Sequence, residues 1–168
     1  MRALLVALAF TTATPLTYGA RLDSGSAPVL AGARVGSLQQ ATGTFGKPDH
    51  LLPLAGTHPV CRAIWERYGL GIGFSATSGC GQPGSWWQVT MRTPRWHTKL
   101  GLHVGDSEAR LRALYPDPQQ LDFLGSGTLL ELETGGPLCD GGSPLALAAR
   151  MMGATVVALL VVHVPACG

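Results

Sequence analysis

The spacing of apolar positions along the chain predicts two short helices, each followed by strands. In the stronger helix, Asp106 or Ser107 can cap the first turn. Apolar residues then recur at helical spacing up to Tyr115, and Pro116 ends the pattern. The same order of cap, aromatic residue and proline occurs earlier, between Ser37 and Pro48. We interpret the two stretches as degenerate copies of one unit; chance similarity between two short helices is the alternative.

Period-two alternation and short apolar runs predict the strands. In the first half, strands cover 60–66, 70–75 and 86–91, after a loop over 49–58. In the second half, strands cover 120–124, 128–133, 145–151 and 155–164. The last strand is apolar at nearly every position, as expected for burial on both faces.

These elements predict an α+β fold, in which an antiparallel sheet carries two helices packed on one face. The two helix–strand–strand–strand repeats cover 35–92 and 101–168, with an extra strand in the second. We expect the repeats to share one sheet, because each alone is too small to bury a good core.

The N-terminal residues have the pattern of a secretory signal peptide. Arg2 precedes an apolar run over 3–10 that is too short to cross a bilayer, and small residues follow. We expect residues 1–20 to be removed, 21–34 to form a flexible arm and 35–168 to fold as one domain. The mature protein is then secreted or otherwise extracytoplasmic, without stable membrane insertion; a retained signal anchor is the alternative.

All four cysteines, Cys61, Cys80, Cys139 and Cys167, lie in the part expected to be exported. An even number in an oxidising compartment indicates two disulfides, and four cysteines allow three pairings. The repeats favour Cys61–Cys80 and Cys139–Cys167, one in each half. Zinc is the alternative, but the chain has no Cys-x-x-Cys motif and no histidine pair at ligand spacing. We therefore expect no metal and no other cofactor.

Charge and motifs restrict the classes of function. The formal net charge is +2 and the basic residues are scattered, so nucleic-acid binding is not expected. The chain has no nucleophile-elbow or zinc-protease motif, and Asp106-Ser107 is better explained as a helix cap than as part of a catalytic triad. Glu131 and Glu133 are expected on one solvated strand face rather than as a glycosidase pair. We therefore expect no catalytic residues.

Aromatic and glycine residues supply the candidate binding face. Strict alternation along 86–91 places Trp87 towards the core and leaves Trp86, with Trp96, as an exposed pair that could stack on a sugar or anchor a protein. Gly71 and Gly73 alternate with apolar residues in one strand, so their face can admit a close neighbour or a ligand. The expected binding face is therefore Trp86, Trp96, Gly71 and Gly73.

The segment Val104-Gly105-Asp106-Ser107, followed by Leu111 and Leu114-Tyr115, resembles a motif of small exported actinobacterial proteins of undefined function. The bridging cysteines and the terminal Ala166-Cys167-Gly168 extend this resemblance over about 33–168, although the first half keeps only Gly36-Ser37 of the motif. The predicted tandem topology is also similar to that of β-lactamase-inhibitor proteins and of an outer-membrane assembly lipoprotein. That second resemblance implies a protein-binding module without chemistry of its own.

The expected function is a secreted, disulfide-stapled, non-catalytic module that binds an envelope or extracellular protein. Two alternatives remain. An envelope hydrolase needs a cleft that joins a histidine to a carboxylate or to Ser107. A small-ligand carrier needs a cavity lined by residues such as Leu130, Leu132 and Val157.

Overall fold

The computed structural model describes residues 16–17, 29–31, 33–54, 60–76, 79–121, 128–135 and 145–163. Its helices and strands are, in chain order, β1 (Leu16–Thr17), β2 (Val29–Leu30), β3 (Ala33–Arg34), α1 (Leu38–Phe45), β4 (His50–Leu54), β5 (Val60–Trp65), β6 (Leu70–Ala76), β7 (Pro83–Met91), β8 (Trp96–His97), α2 (Glu108–Leu114), β9 (Gln119–Leu121), β10 (Thr128–Gly135), β11 (Leu145–Met152) and β12 (Thr155–His163). A single 3₁₀ turn, Glu66–Tyr68, joins β5 to β6.

Eight strands form one antiparallel sheet in the order β4-β5-β6-β7-β12-β11-β10-β9. Each half of the chain contributes four consecutive strands, and the halves meet where β7 pairs with β12, with Val89 opposite Val161. The two halves therefore share one sheet, as expected. Together with the two helices this is an α+β fold with a large antiparallel sheet, which confirms the predicted fold class.

Both helices begin at a serine cap, as the sequence predicts. The Ser37 hydroxyl accepts a hydrogen bond from the backbone N–H of Gln40 at 3.2 Å, and the Ser107 hydroxyl accepts one from that of Arg110 at 3.2 Å. These bonds satisfy donors that the first helical turn leaves free. At the end of α1, Gly46 has a φ of 81°, which glycine adopts without steric cost.

The main hydrophobic core lies between the helices and one face of the sheet. Phe45 of α1 and Leu111 of α2 are buried in the same cluster as alternate strand residues such as Ile72 and Leu159. Each side chain of this kind stabilises the fold by about 1.5–3 kcal/mol when fully buried. Both helices therefore pack on the same face of the sheet.

The opposite face of the sheet differs between the two halves. Over β10–β12 it forms a second buried apolar cluster, made of Leu129, Ala146, Ala148, Ala158, Leu160 and Val162. β12 is thus buried on both faces, as its apolar run predicts. Over β5–β7 the same face carries Arg62, Gly71, Gly73 and Thr90, so its chemistry changes from apolar to cationic and polar.

A strand replaces the loop predicted over 49–58. β4 pairs antiparallel with β5, from His50 opposite Ile64 to Leu54 opposite Val60, and forms one edge of the sheet. Pro53 makes this strand hard to recognise in the sequence, because proline lacks the N–H that an interior strand donates. An edge strand tolerates proline. With β4 included, each half has one helix followed by four strands, so the second half has no extra strand.

The end of the predicted flexible arm is folded. β2 pairs antiparallel with β3, and the Leu30 side chain is buried in the main core. At these residues the structure has paired strands where the sequence suggested a flexible arm, because Leu30 contributes apolar surface to the core.

Within the predicted signal peptide, β1 pairs in parallel with β8. The other residues of 1–20, and the predicted Cys139–Cys167 pair, lie outside the described residues. Among the helices of the described part of the chain, none is long and apolar enough to span a membrane.

Candidate functional site

A β-bulge in β7 decides which tryptophan faces which side of the sheet. Gly73 of β6 is opposite Gln88, but the next residue, Phe74, is opposite Trp86, so Trp87 is one extra residue in β7. Trp86 consequently turns into the main core and is only 7% exposed. Trp87 lies on the other face, where its indole packs over Gly73. The predicted orientations of these two tryptophans are therefore wrong, because the extra residue reverses the alternation.

Trp96 is also a core residue rather than an exposed one. Its side chain is 0% exposed, and its indole Nε1–H donates a hydrogen bond to the backbone carbonyl of Tyr68 at 2.7 Å. The ring contributes to an aromatic cluster, with its centroid 6.4 Å from that of Phe45. The prediction that Trp86 and Trp96 form an exposed aromatic pair is therefore wrong, while Trp87 was missed.

Gly71 and Gly73, the other two predicted binding residues, form the floor of a recess on the open face of the sheet. We call it the arginine recess; it has a volume of about 180 Å³ and is lined by Leu54, Val60, Arg62, Gly71, Gly73, Trp87, Gln88, Thr90, Arg92 and Arg150. The lining residues come from β4, β5, β6, β7 with the residue after it, and β11, and β12 lies between β7 and β11. The recess therefore depends on both halves of the chain.

Position 73 requires glycine because the Trp87 indole lies close to the backbone there. A Cβ there would lie 2.5 Å from Trp87 Nε1, which is closer than side chains tolerate, so the flat indole can rest on the strand only because position 73 has no side chain. At position 71 a Cβ would lie 3.5 Å from Arg62 Nε, an ordinary contact. The Arg62 side chain therefore lies close over Gly71, as the Trp87 indole lies over Gly73.

Three arginines surround this floor. Arg62 is on β5, Arg92 directly follows β7, and Arg150 is on β11, across the small side chain of Ala158 on β12. Neither salt bridge within the described residues, His50–Glu66 or Arg112–Glu108, involves them. Desolvation by burial lowers the pKa of Arg62, and the positive charges of Arg92 and Arg150 lower it further. The recess is therefore a site of concentrated positive charge.

No described carboxylate lines the recess. Glu131 lies on the same face of the sheet, diagonally across from Arg150 in the pairing of β10 with β11. Desolvation by burial raises the pKa of Glu131. Glu131 is not among the residues that line the recess.

The recess also contains hydrogen-bond donors. Trp87 Nε1–H is buried and has no acceptor in the structure. Such an unpaired buried donor costs about 1–3 kcal/mol, so it favours any ligand that brings an acceptor. Gln88 Nε2–H donates to Thr90 Oγ1 at 3.4 Å, which leaves the Thr90 hydroxyl hydrogen available as a further donor.

The residues considered for catalysis have structural roles. Asp106 Oδ2 accepts a hydrogen bond from the backbone N–H of His103 at 2.8 Å, and Ser107 caps α2, so this pair closes a turn and starts a helix. Glu131 and Glu133 do not share a face, because β10 has a bulge between them. Glu133 instead contacts the Tyr115 side chain on the helix face. The expectation that the two glutamates share one face is therefore wrong.

The residues proposed for a carrier cavity have different surroundings in the structure. Leu130 is buried in the main core and Leu132 packs against it from the margin. Val157 is half-buried and is the extra residue at a bulge in β12. It lies between Val156, which is opposite Met151, and Ala158, which is opposite Arg150. None of these three residues is among those that line the arginine recess.

A disulfide joins β5 to the segment just before β7, two of the strands that contribute to the recess. Cys61 on β5 is bonded to Cys80, just before β7, with their Cα atoms 5.1 Å apart. The predicted pairing of these two cysteines is confirmed. In the described part of the chain, no group of three or more histidine, cysteine or acidic side chains could hold a metal ion.

Comparisons of the chain with models of protein families, with curated protein sequences and with solved structures give no match.

Proposed function

We propose that this chain is a secreted, disulfide-stapled, non-catalytic module that binds an envelope or extracellular protein through the open face of its sheet. The observation that carries the proposal is the arginine recess, a built concave site beside an exposed apolar strand. The Cys61–Cys80 bond supports an oxidising location, since structural disulfides persist mainly outside the cytoplasm.

The chemistry of the recess favours binding over catalysis. Guanidinium groups remain protonated at all physiological pH values, so Arg62, Arg92 and Arg150 cannot accept a proton as a general base. The Thr90 hydroxyl has no described base beside it to activate it as a nucleophile; its hydrogen-bond neighbour is the Gln88 amide. These groups can hold and orient an anionic partner but supply no proton acceptor for a reaction.

The edge strand β4 adds an apolar border to the site. Leu52 is opposite Arg62 and Leu54 is opposite Val60, so both leucines project on the same face as the recess, and they are 43% and 45% exposed. Pro53 lacks an N–H and interrupts the open edge, which disfavours strand addition. We therefore propose that the partner contacts side chains on the face of the sheet and not the backbone edge of β4.

We also propose that residues 35–92 and 101–168 are degenerate repeats. Each half has a serine-capped helix followed by four strands, and the final strands of the two halves, β7 and β12, pair with each other. Phe45 and Tyr115, aligned by the repeat, both lie in the main core.

A binding experiment with matched variants tests the proposed function. The exported, oxidised protein is immobilised and exposed to envelope and culture-fluid proteins of its source, beside the variants Leu52→Asp and Leu100→Asp. Leu100 is 48% exposed and lies outside the recess, so it controls for the added charge. We expect one protein to be retained by the wild type and Leu100→Asp but lost with Leu52→Asp, and to bind with fixed stoichiometry after purification. The proposal is contradicted if Leu52→Asp retains the same protein as the wild type, or if no protein is specifically retained.

A further inference from the structure

We propose that the arginine recess is a binding site for a tetrahedral oxyanion, a phosphate or sulfate group. This inference rests on the proposed binding function and names the chemical group that the recess recognises. Arg62, Arg92 and Arg150 place three positive charges around one concave space in which no described carboxylate lies.

The mutual repulsion of the arginines is the first argument. Like charges gathered around one space repel one another, and more strongly where burial reduces screening by water, so a group of three with no described carboxylate among them is costly. The positive charges of Arg92 and Arg150 oppose that of Arg62, which is also partly withdrawn from solvent. A bound anion converts this repulsion into attraction, and guanidinium groups match oxyanions with paired N–H donors.

The arrangement of neutral donors is the second argument. Besides the arginines, the recess is lined by the Thr90 hydroxyl, the Gln88 amide and the Trp87 indole, whose buried Nε1–H has no acceptor. These donors come from the bulged strand β7, which Arg92 directly follows, while Arg62 and Arg150 lie on opposite sides of it. A carboxylate presents two oxygens in one plane, whereas a phosphate or sulfate presents oxygens in several directions. The tetrahedral group can therefore satisfy more of these donors at once.

The size and the wall of the recess are the third argument. A volume of about 180 Å³ exceeds that of a single water several times, since one water occupies about 30 Å³ in the liquid. The space is thus sufficient for a tetrahedral anion together with a small substituent. Leu54 and Val60 form an apolar side where the substituent of a phosphate or sulfate ester can lie.

Calorimetric titration of the oxidised, exported protein at low ionic strength tests the site. The probes are inorganic phosphate, sulfate, phenyl phosphate and acetate. We expect phosphate or sulfate to bind at one site and acetate to bind at least tenfold more weakly. Tighter binding of phenyl phosphate than of inorganic phosphate identifies an ester as the source, and the reverse order identifies the free anion.

Substitutions locate the binding in the recess. Arg62→Gln and Arg150→Gln should each weaken phosphate binding by tenfold or more, because each removes a charge-assisted contact. Arg110→Gln, on the exposed surface of α2, removes the same charge outside the recess and should leave the affinity unchanged. Absence of saturable phosphate and sulfate binding, equal loss in all three variants, or acetate binding as tightly as phosphate would overturn the proposal.

Indole N–H resonances provide a test that needs no arginine variant. Phosphate should shift the ¹⁵N–¹H signal of Trp87, assigned by its absence in Trp87→Phe. The signals of Trp65 and Trp96 should stay in place, because their N–H groups donate to backbone carbonyls in the core. An unchanged Trp87 signal at saturating phosphate refutes the site. Anion binding without a captured protein refutes only the protein-binding function, and a captured protein without anion binding refutes only this inference.

Discussion

Trp86 and Trp87 are adjacent in the sequence, yet the bulge in β7 predicts that replacing each by alanine has a different consequence. Trp86 is buried beside Phe74 in the main core, so Trp86→Ala removes a large core side chain and should cost about 3–5 kcal/mol. Trp87 is half-buried on the open face. Its loss removes apolar contact of about 1.5–3 kcal/mol at most, but also removes an unpaired buried donor that costs about 1–3 kcal/mol. The net effect of Trp87→Ala should be about 1 kcal/mol.

Urea unfolding of the oxidised proteins, followed by far-ultraviolet circular dichroism, measures both effects without depending on tryptophan fluorescence. With a slope of about 2 kcal/mol per molar urea, Trp86→Ala should lower the midpoint by about 2 M and Trp87→Ala by about 0.5 M. Trp87→Ala should also weaken anion binding, which Trp86→Ala should affect only through loss of folded protein. If Trp87→Ala is the more destabilising of the two, the strand alternates without a bulge, and the assignment of Trp87 to the recess is wrong.

Three further predictions follow from the structure. In a background lacking the other two cysteines, reducing Cys61–Cys80 should lower the free energy of unfolding by about 3 kcal/mol, measured by urea titration with and without reductant; an unchanged midpoint would contradict this. Burial, aided by the Glu133 carboxylate and opposed by the Thr98 hydroxyl, raises the pKa of Tyr115 to about 12. The stability that the Tyr115 hydroxyl contributes should therefore be fully present below pH 10 and lost as the pH rises through 12. Unfolding curves between pH 9 and 12 should show this loss in the wild type but not in Tyr115→Phe. Without anions, Arg150→Gln should raise the melting temperature by relieving repulsion, and a lower value would argue against charge crowding in the recess.

Local signals explain why the helices and the last two strands were predicted correctly. Ser37 and Ser107 are caps that act within one turn, and a cap can be recognised from a few consecutive residues. Gly153, with a φ of 57°, turns the chain between two apolar runs that become β11 and β12. Where a few neighbouring residues determine the conformation, the sequence alone sufficed.

The errors occur where one residue changes the phase of a strand or where pairing overrides propensity. An extra residue at Trp87 reverses the side-chain alternation of β7, and nothing in the residue types around it announces a bulge. β10 has a similar irregularity, which separates Glu131 from Glu133. Pro53 argues against a strand until the sheet order shows that β4 lies at an edge. These features depend on partners distant in the sequence.

The arginine recess was only half visible in the sequence. Gly71 and Gly73 indicated a face that admits a close neighbour, and the neighbour is Trp87. The arginines are a weaker signal. Arg62 and Arg150 are each a charged residue among the apolar residues of a strand. They are far apart in the chain, and only the order β5-β6-β7-β12-β11 brings them to one place.

The position of the recess follows from how the two faces of the sheet are used. Both helices cover one face, and over β10–β12 the residues of the other face are themselves buried, which leaves the part near β4–β7 open. Two of the arginines come from the first half and Arg150 comes from the second, so neither half contains the complete site. If the halves are copies of one unit, the pairing of β7 with β12 joins their strands into one sheet, and the recess lies at the junction between the two halves. Arg62→Gln and Arg150→Gln should then impair anion binding to a similar extent, although they lie in different halves.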